Sequence, residues 1–325
     1  MNRIPARRTL LQLAAGVALL RLSRPAIAAR YDPLTTAAVL PPFDLTVDDA
    51  ARSRQIPLRV YLPARAAAAP VVLFSVGLGG TREDYAYLGR HWAGRGYAVF
   101  VIQHPGSDDA VWKDKRPALV AGAMNRAASA ENFKLRVADV SKVLDQLLRW
   151  NESPGERLAG RLDLSRVAMA GHSFGGITAQ AVGGARYGRG RTSFADPRVK
   201  AAIVMSPNTP QKESPASAFG QVALPWLLMT STHDVVPIRN ADNMESRLAV
   251  YPALLPGGKY ELVLDGAEHS AFNDRHPAAD AHRKILALST AFLDAWIDAD
   301  AQARAWLDGA GPRAVLAPAD RWQHK

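Results

Sequence analysis

Val167-Ala168-Met169-Ala170-Gly171-His172-Ser173-Phe174-Gly175-Gly176 is the stretch whose reading decides the fold. The short run Arg166 to Ala170 reads as a buried strand, and a helical pattern starts at Ile177. Between them stands G-x-S-x-G, the spacing of a nucleophile elbow. A serine on a strained strand-to-helix turn lifts its hydroxyl clear of the sheet. Gly171 and Gly175 lack the β-carbons that would clash where the two backbones come close. A glycine-rich turn with a bystander serine would show the same five residues. The strand before and the helix after are the context that favours a nucleophile.

Working outward, strands and helices alternate. Phe43 to Asp48 and Leu58 to Leu62 read as a leading antiparallel hairpin around a polar turn, and Ala64 to Pro70 as a hairpin connection. Val71 to Val76 is a continuous apolar strand ending in Gly77-Leu78-Gly79-Gly80, after which Thr81 is expected to cap a helix from Glu83 to about Ala93. Tyr97 to Ile102 is the next strand. Phe133, Val137, Val140, Leu144, Leu147 and Leu148 recur at helical spacing, giving a long helix that ends near Trp150. Beyond the elbow helix, Ala201 to Met205, Leu227 to Thr230 and Tyr260 to Leu264 read as buried strands. A helix near Ala241 to Val250 and a closing helix from about Ala279 to Ile297 complete the pattern. Continuous apolar strands joined by helices imply a mostly parallel sheet covered on both faces. Gln103 to Asn132 and Ser206 to Leu224 fit neither element and leave the carboxyl ends of strands, where such sheets bind ligands. Carrying Trp112, Met124 and Phe219, they are expected to form walls or a lid over a site; surface loops without a role are the alternative.

A serine hydroxyl needs a base, and the base needs an orienting acid. On this topology they should follow in the order serine, acid, histidine, each past a strand's carboxyl end. Asp234 lies 61 residues after Ser173, and His269 a further 35 residues on, both at such positions. Asp265 sits too near His269 in the chain to be its acid, and Asp242 falls on a helix face. His233 is expected to shape the acid loop, His172 to be pinned by its own turn as packing or support, and His276 and His282 to lie on the surface or a helix. The developing oxyanion needs fixed donors. These should be the backbone N–H of Phe174 and that of Leu78, with Gly77 and Gly79 as alternatives. A buried structural role for Asp234 or for His269 is the alternative. No spacing of histidines and carboxylates resembles a metal site, and none points to a cofactor.

Arg7-Arg8, an apolar run from Leu13 to Leu20 and Ala26-Ile27-Ala28 have the form of an export signal cleaved near Ala28, with a twin-arginine character. The run is too short to span a bilayer, so no stable membrane span is expected after its removal. Periplasmic or secreted localisation follows, with a single domain over 29–325. Arg3, Arg7, Arg8, Arg21 and Arg24 precede the cut with no acid among them, which leaves +5 of the formal +10. No dense basic run remains, so no nucleic-acid partner is expected. With no cysteine in the chain, disulfides and thiolate chemistry are excluded.

Taken together, several segments resemble the α/β-hydrolase superfamily. They are Phe74 to Gly80, Gln103-His104-Pro105-Gly106-Ser107, Arg136 with Asp139-Val140, Gly171 to Gly176, Thr232-His233-Asp234 and Ala267-Glu268-His269. The nearer likeness is to bacterial proteins similar to platelet-activating-factor acetylhydrolase, often labelled dienelactone-hydrolase-like. The resemblance covers about Asp44 to Ile297. It implies an α/β-hydrolase fold, a twisted, mostly parallel sheet of about eight strands with helices on both faces. It also implies cleavage of a small-molecule ester by Ser173, Asp234 and His269, with main-chain donors at Leu78 and Phe174. Many relatives carry histidine at the position of Val76, so any hydrogen bond from that side chain behind the oxyanion loop is absent. True dienelactone hydrolases use a cysteine nucleophile, so their substrate is not implied. An exported serine esterase for small to medium acyl groups is the expectation. A polyester or lipid hydrolase, a peptidase and a non-catalytic binding protein of the same fold are the alternatives.

Overall fold

In a computed structural model of the chain, the structure describes residues 31–65, 67–189, 191–211, 213–236, 244–275 and 278–325. The expected export signal, Asp242 and His276 lie outside the described residues. Two antiparallel strands, β1 (Phe43–Asp49) and β2 (Arg54–Tyr61), lead into β3 (Ala69–Ser75), α1 (Ala86–Arg95) and β4 (Ala98–Ile102). Then come α2 (Pro117–Ala127), α3 (Ala130–Glu152), β5 (Leu162–His172) and α4 (Phe174–Val182). A small hairpin, β6 (Arg186–Tyr187) and β7 (Thr192–Ser193), precedes β8 (Val199–Met205), α5 (Pro215–Phe219) and β9 (Trp226–His233). The chain continues through α6 (Met244–Leu248), α7 (Val250–Ala253), β10 (Lys259–Glu268), α8 (Ala279–Trp296), α9 (Ala301–Asp308) and β11 (Arg321–His324).

Among the described residues, nine strands form one sheet in the order β1-β2-β4-β3-β5-β8-β9-β10-β11. The inner run from β4 to β10 is parallel, and β1, β2 and β11 add antiparallel edges. Both faces are buried because successive side chains serve different cores. Val71 and Leu73 join the core under α3, whereas Val72 and Phe74 join the core under α1 and α8. That is why β3 reads as one unbroken apolar run. The expected fold is therefore observed, with one strand more than expected.

Several boundaries differ from the sequence expectation, each for a physical reason. The segment Ala64 to Pro70 is not a hairpin connection, because β2 pairs with β4 and β4 stands between β2 and β3. Thr81 caps no helix; Asp84 accepts its N–H (2.7 Å) and α1 starts at Ala86. The elbow helix begins at Phe174, not Ile177, because Gly175 and Gly176 are there for close approach and still wind helically. Gln103 to Asn132 is not an irregular loop. Pro117 starts α2 with its φ already set, but only Ala123 and Ala127 are buried and Leu119 is exposed, so no amphipathic period shows. Within Ser206 to Leu224, Ser214 caps α5, accepting from the Ser217 N–H (3.1 Å), and Phe219 enters the core. Leu148 is exposed and not on the buried stripe of α3. The short polar β11 and the separate α9 carried no readable period.

Candidate active site

Where β5 ends, the backbone turns so tightly that β-carbons are excluded. A Cβ on Gly175 would sit 1.9 Å from the Ser75 carbonyl oxygen, and one on Gly171 would sit 2.1 Å from the Gly175 oxygen. Ser173 takes the strain of that turn, with φ 58° and ψ −121°, a conformation costly for a residue with a side chain. Its N–H is fixed on the Met205 carbonyl at 3.0 Å, and its hydroxyl faces a cleft of about 380 Å³. His269 reaches the same cleft from the turn after β10.

The acid follows β9. Asp234 is fully buried, and its Oδ1 lies 2.5 Å from His269 Nδ1. Thr230 Oγ1 donates to Oδ2 at 2.8 Å, and the guanidinium of Arg247 stands 3.4 Å from Oδ1. Burial alone would raise the carboxyl pKa. The hydrogen bond from His269 and the charge of Arg247 outweigh it and hold Asp234 at about 2. Arg247 is itself 2 % exposed and also donates to the carbonyls of Asp234 (2.8 Å), Ser206 (3.0 Å) and Pro207 (3.2 Å). It thereby ties the ends of β8 and β9 together. Ser206, at φ 58°, places its Oγ 3.3 Å from His269 Nδ1. Among the described residues no hydrogen bond joins Ser173 Oγ to His269. Such contacts often close only around substrate.

Histidine 172 supports the site from below. Its Nδ1 lies 2.9 Å from Tyr85 Oη, and its ring is 4.5 Å from that of His269. Burial, with the neighbouring His269, pushes its pKa far below the usual range, so it stays neutral. The other candidates among the described residues do not pair with His269. Asp265 is exposed and meets Thr232 Oγ1 at 3.4 Å, His233 is exposed at the end of β9, and His282 stacks on Tyr87 at 3.8 Å.

Backbone donors in the loop after β3 sort themselves by their partners. The Gly77 N–H donates to Tyr85 Oη (3.2 Å), that of Gly79 to the Ser107 carbonyl (2.8 Å) and that of Gly80 to the Gly77 carbonyl (3.2 Å). The N–H groups of Leu78 and Phe174 have no protein acceptor among the described residues, and both residues line the cleft. The loop is held by several groups around Val76. Arg136 donates to the Val76 carbonyl, while Trp112 Nε1 (2.8 Å) and Arg275 (2.9 Å) donate to that of Gly79. Trp112 and Met124 thus brace this loop; a Cβ on Gly79 would come within 2.9 and 2.8 Å of them. Phe133, Ile177 and Tyr187 line one part of the cleft, and Asn208, Thr209 and Gln211, from the second long segment, line another. Sequence reasoning missed Tyr85, Thr230, Arg247 and the supporting role of Arg136. Tyr85, Arg247 and Arg136 reach the site from other stretches of the chain, and Thr230 stands four residues before Asp234; no motif spacing marks any of them.

Known proteins similar to this chain give its family. The chain is 30 % identical over 132 residues to guinea-pig (Cavia porcellus) platelet-activating factor acetylhydrolase, covering 34 % of this chain and 30 % of that protein. It is 26 % identical over 257 residues to a cutinase of Thermobifida alba, covering 79 % and 69 % respectively. It is 29 % identical over 157 residues to an alpha/beta hydrolase of Xenoacremonium sinensis, covering 47 % and 30 %. Two of these matches therefore span less than a third of the relative's length. The model of the PET hydrolase-like family matches residues 118–317, which hold the elbow, Asp234 and His269. With that match over more than half of its length and a parallel sheet that ends in this elbow, the chain belongs to the PET hydrolase-like family of α/β-hydrolases.

Proposed function

We propose that the protein is an exported carboxylic ester hydrolase that works through an acyl-enzyme on Ser173. His269 takes the Ser173 proton as the hydroxyl attacks the ester carbonyl, and Asp234 holds the resulting imidazolium. The oxyanion settles on the N–H groups of Leu78 and Phe174, the alcohol leaves with the proton from His269, and water then releases the acyl group by the same steps. One observation carries this reading. A strained serine opens onto the same cleft as an imidazole held at 2.5 Å by a buried carboxylate. Export rests on Arg7-Arg8 and the short apolar run that follows them. The cleft volume and its apolar wall of Phe133, Ile177 and Tyr187 favour small to medium acyl groups.

A second reading, hydrolysis of polyester or lipid aggregates, is favoured by the family match and by the similarity to a cutinase over most of this chain. A panel of p-nitrophenyl esters from acetate to long acyl chains, run beside a polyester film, separates the two. Preference for long chains or the film overturns the small-ester reading. The enzyme reading itself is tested with a fluorophosphonate probe. Labelling is expected in the parent protein and absent in Ser173→Ala; folded parent protein that does not label overturns it.

A further inference from the structure

Behind the two candidate oxyanion donors lies a buried cation. Arg136, on α3, has no solvent exposure, and among the described residues no carboxylate oxygen lies within ion-pair distance of its guanidinium. Every nitrogen is nonetheless engaged. Nε donates to Thr178 Oγ1 (3.2 Å), one terminal nitrogen to Ser107 Oγ (2.8 Å), and the other to Ser75 Oγ (3.1 Å) and the Val76 carbonyl. The guanidinium carbon lies 4.7 Å from the centre of the Phe174 ring.

These partners fall into two groups. Val76 and Ser107 control the first donor, because Val76 opens the loop that carries Leu78 and the Ser107 carbonyl accepts the neighbouring Gly79 N–H. Thr178 and the Phe174 ring control the second, because Thr178 Oγ1 donates to the Phe174 carbonyl at 3.0 Å. One rigid fork therefore spans both halves of the hole. Burying a lone cation is costly, and truncation of such a group leaves its partners unpaired. Burial pulls the Arg136 pKa down to about 9, which still leaves the group charged at neutral pH. A fixed positive charge in a dry region favours an anion nearby more than a neutral carbonyl.

We propose that Arg136 is a positioning residue that locks the Leu78 and Phe174 donors together and biases the hole toward the charged tetrahedral state. This rests on the esterase reading above. Its signature is selective loss of transition-state stabilisation. Arg136→Lys keeps the charge but loses the fork. It should lower kcat by about 10²-fold, the scale of one lost oxyanion donor, with KM little changed. Affinity for phenylboronic acid, which forms an anionic tetrahedral adduct on the serine, should fall in parallel. Thr178→Val releases only the Phe174 side and should lower kcat less, about tenfold or under, again with weakened boronate binding. It decides the matter if Arg136→Lys does not fold. Unchanged kcat, a rise in KM without loss of kcat, or a loss of kcat with boronate affinity intact would each overturn the proposal. Absence of fluorophosphonate labelling in the parent protein would overturn the esterase reading instead, and with it the ground for this one.

Discussion

Ser173, His269 and Asp234 have a chemical double in Ser75, His104 and Asp139, and the two trios differ in nearly everything except residue type. In the second, His104 Nε2 lies 2.8 Å from Ser75 Oγ and Nδ1 lies 3.0 Å from Asp139. Its serine–histidine bond is made, whereas that of the first trio is open. All three members of the second are fully buried, and Ser75 is an ordinary residue of β3. Arg54 and Arg52 pair with Asp139, and Arg136 donates to Ser75, so the chain of hydrogen bonds links cations on both sides of one carboxylate. Burial and the nearby Arg136 push His104 down to about 4, so it stays neutral, and Asp139 is held at about 2 against its own burial by His104 and Arg54. The His269 side chain, by contrast, is 20 % exposed at a cleft, beside a serine under backbone strain. Residue chemistry alone does not make a site. Access, a strained serine and unpartnered N–H groups distinguish the first trio; the second is a strut beneath it.

Substitution should pull the two trios apart. Ser173→Ala is expected to lower kcat on p-nitrophenyl acetate by ~10⁴-fold or more. Ser75→Ala should keep activity within about tenfold and instead lose ~1–3 kcal/mol in urea unfolding, because its buried partners are stranded. Equal losses of activity in both variants would break the comparison. The aspartates should divide similarly. Asp234→Asn should cost ~10⁴ in kcat through the wrong imidazole tautomer, with a loss of stability besides, because the buried Arg247 gives up its carboxylate. Asp139→Asn should lower unfolding free energy by ~3 kcal/mol as Arg52 and Arg54 lose their carboxylate.

Acid sensitivity sharpens the contrast further. His104 has a folded pKa of about 4, below the ordinary ~6.5 of the unfolded chain, so the unfolded state binds the extra proton between those values. Its contribution is complete above ~6.5 and falls by up to ~3 kcal/mol as pH drops to about 4. Asp139 and Asp234, both held at about 2, add a second loss below ~3.8. Denaturant midpoints at pH 7 and 4.5 should show the first loss in the parent, and His104→Gln should reduce it, leaving the share of His172, which burial likewise holds below its usual range. No difference in slope would remove His104 from this account. Smallest of all, Ser206→Ala deletes a 3.3 Å contact to a nitrogen already bound to Asp234 and should change kcat/KM by about threefold at most.

The parts readable from sequence are those whose cause is local. Gly171 and Gly175 mark the elbow because a Cβ there meets backbone within two chain segments, and that spacing survives in one dimension. Asp234 and His269 could be picked out because strand ends recur in a fixed order in this topology. The parallel core was readable because both faces of β3, β5 and β8 are apolar. What escaped is long-range or weakly patterned. Arg247 and Arg136 act across 13 to 61 residues of chain and look like ordinary helix arginines. The helix α2 buries two alanines four residues apart, too faint a stripe to see. Nothing around Ala64 to Pro70 tells that the chain must skip a place in the sheet for β4.

The strand β11 has a bearing on how the molecule fails. It closes the β10 side of the sheet through four residue pairs, lays Trp322 on Tyr260 at 5.6 Å, and engages Glu261 through Arg321 and Gln323. Peeling it away exposes a row of unpaired amides on a strand that carries Tyr260, Leu262 and Leu264, ready to template another chain. The first step of heat damage at this edge would then be association, and survival at temperature a question of how fast four residues fray.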